Sequence, residues 1–287
     1  MNPNYKIIDY NKCLLIDCPI CGSKSFSLVT FRFDLGRLVR CSDCRHVYLN
    51  PTISDEILKS IYEQYNETND ETQLMRIIEE WFTSPIGPYQ MSLNIIDKEG
   101  QSLSGKKVLE IGCGPGRFLS ECARRGAIVE GADLSPRAIQ LAQKYFNLKI
   151  LYGSFEDLFE KKYFALATYD YIFIFELIEH VRKPLELLKS VGELLKPKGI
   201  VFVSTPNFSS FYTMGKYSPT VSKFQEHLHF FDEKNLADLF RRAGLEVQIR
   251  DTGLLSFGDR YKQILAGQPF FQKLWIILRK NEFIYSL

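Results

Sequence analysis

Three groups of residues in this chain have the types and spacing to do chemistry. Cys18-Pro-Ile-Cys21 and Cys41-Ser-Asp-Cys44 are two C-x2-C knuckles flanking the alternating stretch Phe26 to Phe33. Each knuckle can aim two thiolates at one ion, and together they complete a tetrahedral Zn²⁺ site that substitutes for a core in so short a segment. Four thiolates leave no open coordination position, so the ion would be structural; the competing reading is four unrelated reduced cysteines. His46, two residues past Cys44, reads as a surface residue rather than a ligand. The second group is Glu110-Ile-Gly112-Cys113-Gly114-Pro-Gly116, where an apolar strand runs into a glycine turn and then a helix starting near Arg117. That spacing lets a ligand approach main-chain N–H groups at a helix N-terminus. An acidic residue before the turn suits a cationic ligand better than a pyrophosphate, and the order is not the dinucleotide G-x-G-x-x-G. Cys113 reads as a small space-filling residue and not a nucleophile.

The third group is Glu176-x-x-Glu179-His180, after the apolar run Tyr169 to Phe175, joined at a distance by His227 and His229. Two carboxylates and an imidazole within five residues could hold a divalent cation that lowers the pKa of a bound diol. Of the four histidines in the chain, His180, His227 and His229 follow strand ends on the expected ligand side. His229, then His227, are the favoured general bases; a histidine that only holds its loop in place is the alternative for each.

The elements that must carry these groups alternate strand and helix, which argues for a mostly parallel α/β sheet covered on both faces, doubly wound. Strands are expected at Val108–Ile111, Ile128–Asp133, Lys149–Tyr152, Tyr169–Phe175, Ile200–Ser204 and Glu246–Asp251, with helices at Pro184–Leu195 and Glu233–Ala243. Ligands sit at the carboxyl ends of such strands. Asp133, ending the second strand, is placed to take two ribose hydroxyls, and Ser135 and Pro136 read as an N-cap and first helical position. Helical periodicity returns upstream, at Ile57 to Tyr65, Leu74 to Phe82 and Tyr89 to Glu99.

Glu110 to Gly116 resembles the (D/E)-x-G-x-G-x-G motif of class I S-adenosylmethionine-dependent methyltransferases. The resemblance covers about residues 105 to 251 and implies a Rossmann-like fold, methyl transfer, and S-adenosylmethionine held by Glu110, Gly112, Cys113, Gly114, Gly116, Asp133 and Leu134. It also implies an adenine contact in the turn Gly153 to Asp157, through Ser154, Phe155 or Glu156, with Glu176 at the methyl end. Ser154 departs from the Asp of many relatives. Helices before the first strand cap the cofactor in that family, making Tyr62, Tyr65 and Tyr89 candidate ligand contacts. The E-x-x-E-H pattern resembles that of ubiquinone-biosynthesis O-methyltransferases and of small-RNA 3′-terminal 2′-O-methyltransferases, which points to a second metal at Glu176, Glu179 and His180; the alternative, widespread in methyltransferases with no second metal, is a Glu-His pair that orders the turn. The ribbon-then-methyltransferase order is shared with some sugar C-methyltransferases.

The expected organisation is a zinc ribbon over 1–50, a helical cap and linker over 51–104, and a methyltransferase core over 105–252. The core includes a substrate loop over 205–232, and an aromatic tail follows over 253–287. A formal charge of +2, 24% charged residues and no long basic run give no polyanion footprint, so a small-molecule acceptor is expected rather than nucleic acid. An RNA methyltransferase gripping RNA through the ribbon, and a binding protein that has lost catalysis, are the alternatives. No apolar run of transmembrane length appears, and the Met1 end lacks a signal-peptide core, so the expected compartment is the cytoplasm. The stripe Phe270, Phe271, Leu274, Trp275, Ile277 and Leu278 is expected to bury against the domain or in a homodimer, or to touch a membrane surface. The family's antiparallel last strand is expected, if anywhere, at Glu282 to Ser286.

Overall fold

The computed structural model describes residues 13–32, 36–54, 56–58, 70–84, 87–208, 227–248 and 273–280. Tyr62, Tyr65, the middle of the expected substrate loop and the tail before Lys273 lie outside them. Two sheets result. The larger has the order β10-β11-β8-β7-β4-β5-β6. Its strands are β4 (Lys107–Ile111), β5 (Ile128–Asp133), β6 (Leu151–Tyr152), β7 (Tyr169–Phe175), β8 (Leu195–Pro206), β10 (Leu245–Gln248) and β11 (Lys273–Lys280). The strands from β4 to β8 pair in parallel, whereas β11 is antiparallel to both its neighbours.

Parallel pairing follows from the helices between strands: α3 (Arg117–Arg124), α4 (Pro136–Phe146), α5 (Phe155–Glu160) and α6 (Pro184–Leu194) cover the faces. β7 shows why both faces must be covered. Its alternate residues Tyr171, Phe173 and Phe175 pack with Phe118 of α3, while Ile172 and Ile174 pack with Leu187, Leu188 and Val191 of α6. A strand with apolar side chains on both faces has no stable position except the centre of the sheet. Upstream lie α1 (Glu71–Thr83) and α2 (Pro88–Lys98); Arg117 ties α1 to the core through Glu79 at 2.6 Å and stacks on Phe82.

The antiparallel strand is Lys273–Lys280, ending just before the stretch expected to supply it, and residues 281–287 are not described. Leu274, Trp275, Ile277 and Leu278 therefore sit in a strand hydrogen-bonded on both sides, Trp275 opposite Ser204 and Ile277 opposite Phe202. The unbroken apolar run 274–278 has found sheet partners on both sides. β8 also begins earlier and ends later than Ile200–Ser204, because it pairs with β7 on one side and β11 on the other.

The smaller sheet is antiparallel, with order β1-β2-β3-β9. β1 (Phe26–Arg32), β2 (Gly36–Cys41) and β3 (Val47–Leu49) come from the cysteine-bearing segment, and β9 (His229–Phe230) from the end of the 205–232 stretch. Tyr48 pairs with His229 and Val47 with Phe230. α7 (Glu233–Arg242) follows at once, held by a capping box between Asp232 and Asn235. No helix among the described residues is long and apolar enough to cross a membrane.

Candidate active site

The first half of the site is one strand, one turn and one helix end. β4 delivers Glu110 and the glycine turn, whose Gly112, Gly114 and Gly116 all have left-handed φ, at 71°, 52° and 75°. A Cβ on Gly114 would meet nothing within 4 Å, so this backbone faces open space where a ligand can come close. Asp133 closes the turn from β5: its Oδ2 accepts from Gly114 N at 2.7 Å and its Oδ1 from Ser135 N at 2.8 Å. Each oxygen keeps lone-pair capacity for a further donor. Ser135 N-caps α4, as its sequence position suggests.

Glu110 is 2% exposed, and its Oε2 has no hydrogen-bond partner. Burial, and then the charge of Asp133, push its carboxyl well above the usual carboxylate range. The Tyr89 phenol, from α2, is likewise pushed up by burial and then by Glu110, Glu176, Cys113 and Asp133. Three acidic side chains thus act on the one phenol of Tyr89. A buried acid with one oxygen unsatisfied is costly, and a cationic ligand relieves it. The residues present therefore fit the sulfonium and ammonium of S-adenosylmethionine. Cys113 is buried and its thiol is pushed well up, so it is inert packing.

The turn after β6 is less direct. Ser154 accepts from Asp157 N at 3.1 Å and so caps α5; Phe155 is buried on Phe164, and Glu156 points outward, exposed. Leu134 is 54% exposed beside Asp133, an apolar surface at the ligand edge.

The second half gathers around the turn after β7. Glu176 has φ 50° and accepts from Ser204 Oγ at 2.9 Å. Glu179 is buried, accepts from Thr205 Oγ1 at 2.9 Å, and lies 3.8 Å from His180 Nε2 and 3.9 Å from His227 Nε2. Ligand atoms of Glu179, His180 and His227 all fall within 4.8 Å of one another. Glu176, bonded to Ser204 of β8, stands outside this trio, and His227 takes its place.

His229 is corrected as a candidate base. It is 3% exposed, and its Nε2 bonds the Val181 carbonyl at 2.8 Å while its Nδ1 meets His46 Nε2 at 3.0 Å. Burial pushes its pKa down to about 4, so the ring is neutral at pH 7 with one donor and one acceptor, both used. His46 is no surface residue; it is 1% exposed, between Tyr48, Phe231 and His229. The apolar run Val47-Tyr48-Leu49 after it was the available signal that this segment is buried.

Next to His46, whose carbonyl accepts from Cys41 N at 2.9 Å, Cys18 and Cys44 lie 3.5 Å apart, as do Cys21 and Cys41, and all four Sγ atoms fall within 4.8 Å. Tetrahedral ligands at about 2.3 Å from an ion are about 3.8 Å apart, so the four thiols fit one Zn²⁺.

A solved S-adenosylmethionine-dependent methyltransferase from Mesorhizobium loti superposes with TM-score 0.50 at 16% identity, covering 65% of this chain and 96% of that one. Another, from Archaeoglobus fulgidus, gives TM-score 0.50 at 17%, covering 72% and 99%. At such identities the likeness is one of fold, and the fold is that of S-adenosylmethionine-dependent methyltransferases. A family model described as a methyltransferase domain matches residues 88–248, more than half of the chain. The chain belongs to that family. Curated relatives include the ubiquinone biosynthesis O-methyltransferases of Pasteurella multocida, 32% identical over 128 residues, and Actinobacillus pleuropneumoniae, 37% over 123. Each match takes in 41% of this chain and 53% of the relative, so the chain spans about half the length of the curated relatives it matches.

Proposed function

We propose that the protein transfers the methyl group of S-adenosylmethionine to an oxygen of a small-molecule acceptor. The observation that carries this reading is the meeting of Glu179, His180 and His227 at the same sheet edge as the buried Glu110, one of whose carboxylate oxygens has no hydrogen-bond partner. Bound S-adenosylmethionine supplies an electrophilic methyl carbon on a good leaving group. Glu110 and Glu176 offset its positive charge, the Gly114 backbone admits it, Asp133 takes the ribose hydroxyls, and Leu134 covers the adenosine. The residue-level work left is to hold the acceptor oxygen in line and remove its proton.

His180 and His227 are the proton-handling pair, with ring centroids 4.6 Å apart and Glu179 behind them. The same trio offers two nitrogens and an oxygen, a set suited to a divalent cation that would lower the pKa of a phenol or diol. The relatives' names make a phenolic acceptor the first to try. The four cysteines would hold a structural Zn²⁺; the proposed division is a ribbon over 1–50, a cap over 51–104 and a core over 105–252 with the acceptor loop. Reduced, metal-matched thiols favour the cytoplasm.

Incubating the protein with S-adenosylmethionine and a panel of catechols, sugars and short RNAs, with and without Mg²⁺ or Mn²⁺, tests the reading through released S-adenosylhomocysteine. Turnover of a catechol is the expected outcome. Turnover of RNA alone, falling steeply with salt, would replace the small-molecule reading with nucleic-acid methylation.

A further inference from the structure

We propose that His46 is a positioning residue for the acceptor side: the cysteine-bearing sheet holds the Glu179, His180 and His227 trio in place through a buried histidine relay. The proposal rests on the reading of that trio as the acceptor site. Two sets of bonds run from β3 into the trio. Along the backbone, Leu49 N donates to Leu228 O at 3.0 Å, and Leu228 N and His229 N both donate to the Glu179 carbonyl, at 2.8 and 3.1 Å. Along the side chains, His46 Nε2 meets His229 Nδ1 at 3.0 Å, and His229 Nε2 meets Val181 O at 2.8 Å. Two carbonyls of the turn that carries Glu179 and His180 are thus gripped by 228–229, which is gripped in turn by 46–49. Arg182 adds a third tie, donating to Ile53 O at 2.7 Å.

The relay has one direction. A carbonyl can only accept, so His229 carries its proton on Nε2 and presents Nδ1 as an acceptor. His46 must then donate from Nε2, which leaves its own Nδ1 as a bare acceptor, and that atom is buried without a hydrogen-bond partner. Leaving a buried acceptor unmade is unfavourable. A ring kept in the one tautomer that feeds His229, despite that, is what a positioning role requires and mere packing does not. Packing against Tyr48 and Phe231 would be met equally by phenylalanine.

His46→Phe keeps the ring contacts and removes the donor; His46→Gln places an amide N–H near the position of Nε2. Hydrogen–deuterium exchange of the full-length, zinc-loaded chain reads the relay directly. In His46→Phe, amides of 227–231 and 177–183 should exchange at least about tenfold faster, the effect of one lost buried hydrogen bond, while 107–116 and S-adenosylhomocysteine affinity stay unchanged. Mn²⁺, titrated as a probe of the trio, should bind about tenfold more weakly, and His46→Gln should recover most of both effects. Unchanged exchange at 227–231 and 177–183, an equal rise at 107–116, or a Gln variant no better than Phe would each overturn the relay. Failure of the native protein to bind Mn²⁺ would instead sink the cation reading of the trio, and the exchange data alone would then judge His46.

Discussion

Glu110, the glycine turn and Asp133 come from consecutive elements, and the bond that closes their loop, Asp133 to Gly114, spans 19 residues. The trio of Glu179, His180 and His227 is braced from behind by a bond between His46 and His229 that spans 183. One half of the ligand edge is therefore local and rigid from its own chain geometry. The other half is assembled by a second sheet whose four strands come from both sides of the first half in sequence. A local site tolerates distant damage, whereas an assembled one inherits the stability of everything that builds it.

The largest effect should follow from taking apart the small sheet. Cys41 is fully buried among the other three cysteines. Structural zinc sites hold about 10–16 kcal/mol of apparent binding free energy, most of which is folding free energy. Cys41→Ser, or a strong chelator, should therefore unfold β1 to β3, release β9 and abolish methyl transfer. S-adenosylhomocysteine affinity by calorimetry should stay within about threefold, because among the described residues no hydrogen bond ties the glycine turn to that sheet. Collapse of cofactor affinity together with activity would erase the distinction between the halves.

The converse break is smaller and should be confined to the other half. Asp133→Ala removes the acceptor for Gly114 N and Ser135 N and the group proposed for the ribose. Charge-assisted hydrogen bonds contribute about 1.5–3 kcal/mol each, so cofactor affinity should fall by about 100-fold or more. Exchange at 227–231 should not change. Near-native cofactor affinity in this variant would remove Asp133 from the site.

The same contrast explains what could be seen in the chain beforehand. Gly112 to Gly116, Asp133, Ser135 and the doubly apolar Tyr169–Phe175 announce their structure by spacing, since turn conformation, capping and strand burial are decided within a few residues. The clustering of the four cysteines is equally legible, because two C-x2-C pairs are spaced as one ion would require. His229 misled because a histidine after a strand end reads alike whether its nitrogens face ligand or neighbours, and the deciding neighbour was His46, far upstream. Glu176 and His227 exchanged places in the trio for a related reason: the Ser204 hydroxyl that Glu176 meets and the segment that brings in His227 both lie far along the chain. Strand β11 escaped because antiparallel insertion between β8 and β10 is a choice of partner and leaves only a short apolar run behind.

The smallest effect tests whether the ligand edge as a whole is separable from the rest of the sheet. Asp170 sits at the opposite edge, where its Oδ2 accepts from Lys107 N at 3.0 Å and Lys196 Nζ at 2.7 Å, with Lys106 Nζ 3.4 Å from Oδ1. Burial pushes its carboxyl up, but Lys196, the Lys107 amide and Lys106 outweigh it, and the net shift is downward from the ordinary 3.8. A carboxylate whose folded pKa lies below its unfolded value stabilises the fold at pH above the unfolded value, and that contribution disappears as pH falls through the folded pKa. Both lysines are substantially exposed, which keeps the contribution to about 1 kcal/mol. Asp170→Asn should thus lower the melting temperature by about 2–4 °C at pH 7, and the gap to wild type should narrow as the pH is taken below 3.8. Cofactor affinity and turnover should not move at all. A change in either would mean that the two edges of the sheet are coupled, and that the division between a self-contained cofactor half and an assembled acceptor half is drawn in the wrong place.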